Sequence, residues 1–138
     1  MIVVTTNDIP GYRITAVISQ VIGITVRAAN IGANLTAGFR ALGGGEVPEY
    51  TQLVFDSRQQ VMNRMVEDAQ RRGANAIVGM RFDSDSIAQA FSEICVYGTA
   101  VIAEPIPDGQ PGATPQSAAV SRSVAPRISP TPPPPPTA

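Results

Sequence analysis

At 138 residues and a net charge of −1, the chain is one domain's worth of sequence, and its first 104 residues carry 8 Arg against 10 acids. That balance lacks the basic excess that a phosphate backbone demands, so nucleic acid is not an expected partner. With no histidine and one cysteine, there is neither an imidazole for metal or proton work nor an intramolecular disulfide.

Eleven of the 13 prolines lie at or beyond Pro105, which divides the chain into an expected folded domain over 1–104 and a Pro/Ser/Ala-rich tail over 105–138. The N-terminal MIVVTTNDIPGYR has no positive n-region. The longest apolar run, ITAVISQVIGITV, is broken by Ser19 and Gln20 and is too short to span a bilayer. The expectation is a soluble, cytoplasmic protein without membrane contact.

In chain order, MIVVTT reads as a short strand ended by the turn-rich NDIPG. A long strand follows over 12–26, dense in Ile, Val and Thr, with Gly23 read as a bulge or bend. Both of its faces are partly apolar, so helices or a neighbouring subunit must cover both. Asn30 can cap a helix carrying Ile31, Leu35, Phe39 and Leu42, stopped by Gly43, Gly44 and Gly45. These glycines read as a hinge. Glu46 and Glu49 stand where a phosphate would sit, and the Lys-Ser/Thr of a phosphate loop is missing.

The clearest helix covers 49–72, with Pro48 at its first turn and Gly73 as its C-terminal stop. Its apolar stripe comprises Tyr50, Leu53, Val54, Val61, Met65 and Ala69, widened by Met62 and Val66. Glu67 with Arg71, and Asp68 with Arg72, are acid-before-base pairs four residues apart. Two β-rich runs follow, ANAIVGMRFDSDS and AFSEICVYGTAVIAE, and read as a hairpin. The order strand, strand, helix, helix, strand, strand gives an α+β class.

The hairpin carries the candidate chemistry. Arg81, Asp83 and Asp85 share one strand face. A turn centred on Ala88 would set Asp85 opposite Phe91, Asp83 opposite Glu93 and Arg81 opposite Cys95. Asp83, Asp85 and Glu93 offer hard oxygen ligands and Cys95 a soft one, so a divalent metal ion is the one cofactor this face suggests. The simpler and preferred account has Arg81 neutralising Asp83 and Glu93, with Cys95 a small apolar residue. A nucleophile without an imidazole partner gives no catalytic constellation, so the chain is read as a non-enzyme.

The stretches TTNDIPGYRI, AANI, AGFRALGGG, RRGANAIVGMRFD and VYGTAVIAE, in this order through residues 3–103, resemble the YbjQ family of uncharacterised proteins, which carries a heavy-metal-binding label. The resemblance implies a ββααββ subunit that assembles through its strands into a ring, expected as a homopentamer. Where the family has an acidic strand of the type Asp-x-Asp-x-Glu, this chain has Arg81, Asp83 and Asp85.

The tail is expected to be disordered and dispensable for folding and assembly. Arg127, Pro130 and Pro133 match the spacing of ligands for aromatic, polyproline-binding grooves. Two functions therefore stand side by side. One is an oligomeric module that binds a metal cation weakly. The other is a scaffold whose tails recruit a protein partner.

Overall fold

Strand and helix boundaries follow the punctuation of the sequence. In the computed structural model, which describes residues 1–28, 48–88 and 91–124, the elements are β1 (Ile2–Val3), β2 (Tyr12–Ala28), α1 (Pro48–Arg71), β3 (Ala76–Ala88), β4 (Phe91–Pro105) and α2 (Pro115–Val124). The four strands form one sheet in the order β1-β3-β4-β2. β1 runs parallel to β3, and β3 and β4 form an antiparallel hairpin. The class is α+β, as expected. The expected helix over 31–42 and its glycine hinge lie outside the described residues. The chain divides into two units, one of Met1–Ile9 with Arg13–Glu104, the other of Pro10–Tyr12 with the described residues from Pro105 on.

α1 is the helix read over 49–72, and its stripe is buried from Ser57 downward. Val61, Met65 and Ala69 are fully buried against Val21, Ile77, Ile94, Val96 and Ala100 of the sheet. Leu53 and Val54, in the upper half of the stripe, stay 41% and 44% exposed. The helix stops as its sequence dictates. Gly73 takes a positive φ of 83°, its N–H donates to Gln70 O at 2.9 Å, and Ala74 N donates to Ala69 O at 3.0 Å. These two bonds are a Schellman closure, which needs a residue free of the Cβ penalty in the left-handed region. Of the expected charge pairs, Asp68 with Arg72 forms, and Arg71 joins the same carboxylate. Asp68 takes both arginines, Arg71 at 3.1 Å and Arg72 at 3.0 Å, because positions three and four ahead both lie within its reach.

Gly23 does not break β2, which is a single 17-residue strand. The glycine is there because α1 lies directly over it. A Cβ at this position would run into the carbonyl of Val61 and come within 3.0 Å of Met65 N. Val21, Gly23 and Thr25 thus face the helix, while Ile22, Ile24 and Val26 face away. Gln60 on α1 ties the strand further, accepting from Thr25 Oγ1 at 3.3 Å and Arg27 Nη2 at 3.1 Å.

Within the tail expected to be disordered, residues 105–124 form turns and a helix, a difference from the sequence reading confined to that span. Gly109 and Gly112 take positive φ in two successive turns, closed by Gln110 N to Pro107 O and Ala113 N to Gln110 O. Thr114 then caps α2, with Pro115 at the first helical position. Thr114 Oγ1 accepts from Ser117 N at 3.1 Å and Ser117 Oγ accepts from Thr114 N at 2.9 Å. This is a reciprocal capping box with serine in the place usually held by Glu or Gln.

Candidate functional site

A bulge decides which face of β3 bears the carboxylates. Between Val78 and Arg81 the pairing with β4 slips by one residue, at Gly79 with its φ of 63°. A one-residue insertion inverts the alternation of a strand. Before the bulge Ile77 packs into the core; after it Phe82 does, and Arg81, Asp83 and Asp85 turn to the other face. Without the extra residue Asp83 would point at α1.

The observed register corrects the expected pairing. Arg81 lies opposite Tyr97, Asp83 opposite Cys95, and Asp85 opposite Glu93; Ala88 pairs with Phe91. The expected centre at Ala88 fails because Ala88 itself pairs with Phe91, and a second irregularity between Ser86 and Ala88 absorbs one residue. The displacement is even, so the residues expected on one face remain together on it.

Arg81 is directed at backbone carbonyls. Its Nη1 donates to Thr5 O and Met80 O, both at 2.7 Å. The guanidinium therefore staples β3 to the segment after β1. Burial first, then the charges of Glu93 and Asp83, raise the ionisation of Cys95 above the ordinary 9.0. Tyr97 is raised as well, by the charge of Asp83 first and then by burial, with the charge of Arg81 acting in the opposite direction. Among the described residues, no three acidic or cysteine groups converge on a point that one metal ion could occupy. The tail residues Arg127, Pro130 and Pro133 lie outside the described residues.

Two further features border this region. On the edge strand β2, Ile22, Ile24 and Val26 are 50%, 44% and 52% exposed on the face opposite α1. The sequence signalled this stripe through the two-sided apolar pattern of the strand. On the α1 side, Leu53, Val54, Ser57, Ser92 and Ile94 line a small cavity beside Arg27, whose Nε is buried without a hydrogen-bond partner. Next to it, Arg58 stacks over Phe82 at 5.3 Å.

Residues 1–104 match the YbjQ family, described as "putative heavy-metal-binding". A UPF0145 protein of Mycobacteroides abscessus is 49% identical over 106 residues, 77% of this chain and 99% of that protein. A UPF0145 protein of Picrophilus torridus is 44% identical over 110 residues, 80% of this chain and 93% of that one. A crystal structure of a protein of unknown function from Pediococcus pentosaceus aligns at a TM-score of 0.47 and 16% identity, over 74% of this chain and 96% of the other.

Proposed function

The chain belongs to the YbjQ family, and from that premise we propose that it is a non-catalytic, self-assembling module whose hairpin face takes a divalent cation weakly. The observation that carries the reading is the stripe of Ile22, Ile24 and Val26 on an edge strand. Three β-branched side chains in line on a sheet edge are an aggregation hazard unless a partner covers them. The strand's own edge is less available, since Arg64 Nη1 already donates to Ile24 O. Contact through the side-chain face is therefore favoured over strand addition, and a second copy of this chain is the occupant. A closed ring, the homopentamer that the family resemblance implies, would leave no copy with the stripe uncovered.

The cation reading is favoured by Asp83 and Cys95 standing directly opposite each other, with Asp85 opposite Glu93. The Cys95 thiol is raised by burial first and then by the charges of Glu93 and Asp83, and the latter part is what a cation would relieve. Repetition of this set around a ring supplies further ligands. With a single thiolate per subunit, hard cations suit the face better than soft ones, and Cys95 joins only for a soft metal. Titration calorimetry with magnesium and with zinc tests this. Weak binding should occur in the wild type and vanish with Asp83→Asn plus Glu93→Gln. Absence in the wild type, or equal binding by the double variant, removes the cation from the account.

The alternative function, recruitment of a protein partner through Arg127, Pro130 and Pro133, rests on the sequence of the tail. Loss of partner capture in an Arg127→Ala variant with unchanged cation binding would favour it.

A further inference from the structure

The second unit joins two stretches far apart in sequence, and the junction is specific. Ile106 N donates to Gly11 O at 2.8 Å, which ties the chain after β4 to the loop just before β2. Gly11 itself has a φ of 83° and is buried. A Cβ on it would strike Thr114 Oγ1 and lie 2.9 Å from both Cβ and Oγ of Ser117. Only glycine permits so close an approach in that conformation. On the other side of the contact, Ser117 is fully buried. Its hydroxyl accepts from Thr114 N, and its single proton goes to Ile106 O or Thr114 O, both at 3.1 Å. One side chain thus caps α2 and fixes the residue that grips the loop. The Arg122–Asp108 pair at 3.0 Å adds little, because both side chains are largely exposed.

We propose that residues 105–124 form a strap that holds the start of β2 and thereby governs assembly through that strand. The strap is built outside the span that matches the family, which ends at residue 104. It acts on a defined place, since Tyr12 is both a member of the second unit and the first residue of β2. Holding the start of the strand removes conformational freedom that the free chain would otherwise surrender on association. The effect on assembly rests on the reading of β2 as the assembly strand, whereas the strap itself rests on the contacts at Gly11.

Amide hydrogen exchange on the full chain separates the two. In Ser117→Ala, and independently in Gly11→Ala, exchange at the Ile106 amide should quicken at least tenfold. The Val4 amide, which donates to Ile77 O in the first unit, should stay as protected as in the wild type. Unchanged exchange at Ile106 in both variants overturns the strap. Loss of protection at Val4 as well would overturn it too, since the contact would then be part of the core.

Native mass spectrometry of the same variants reads the second half. Each should dissociate at a protein concentration several-fold higher than the wild type does. An unchanged dissociation profile with quickened exchange overturns the control of assembly and leaves the strap. A wild type that is monomeric overturns that control together with the assembly reading, while the exchange result at Ile106 still decides the strap.

Discussion

Gly23 and Cys95 show how single positions were and were not legible. A glycine inside a β-branched run signals either a bend or a close approach, and the two are indistinguishable without knowing what lies above the strand. Here α1 lies above it, with the Val61 carbonyl where a Cβ would be. Gly23→Ala should therefore destabilise the fold by about 1–3 kcal/mol through overpacking, measurable by urea denaturation; a change near zero would mean that α1 moves away at no cost. For Cys95, the shared face with Asp83 and Asp85 was legible from the period of two, but the residue opposite it was not. Its raised ionisation stabilises the fold fully below the ordinary thiol value, and that contribution is lost as pH rises through the folded value. The pH midpoint of Cys95 alkylation should accordingly lie above 9.0 and move down in Asp83→Asn plus Glu93→Gln. Because burial is the larger cause, the midpoint should fall only part of the way; no movement would show that the acids do not act on the thiol.

At the scale of elements, α1 was read almost to the residue because both ends carry strong local chemistry, Pro48 at the first turn and Gly73 in a Schellman closure. Replacing Gly73 by Ala puts a Cβ in the left-handed region and should cost about 1 kcal/mol, read as a lower melting temperature; an equal or higher one would mean that the turn re-forms with negative φ. The register of the hairpin was not legible, since two bulges in β3 leave no mark in the hydrophobic alternation beyond the glycine at position 79. α2 was missed for a different reason. Proline, alanine and serine over 105–124 carry too little hydrophobic period to suggest order, while the informative signal was Thr114-Pro115 with a serine two residues on. A capping box closed by serine escapes a search for Glu or Gln at that position.

For the whole molecule, the α+β class and the family were legible because the matching stretches run in order through nearly all of the first 104 residues. No helix among the described residues is long and apolar enough to cross a membrane. The assembled state was legible only indirectly, through a strand apolar on both faces, one of which α1 covers and the other of which leaves Ile22, Ile24 and Val26 exposed. That face is the central claim, and one substitution addresses it. Ile24→Glu places a charge in the middle of the stripe without touching the α1 side, so the fold should survive and the assembly should not. Native mass spectrometry of the full chain beside this variant is the decisive measurement. The account predicts a multiple of the 14.4 kDa chain mass, a pentamer, for the wild type, and a folded monomer for Ile24→Glu. A wild type that stays monomeric, or a variant that assembles as the wild type does, would contradict it.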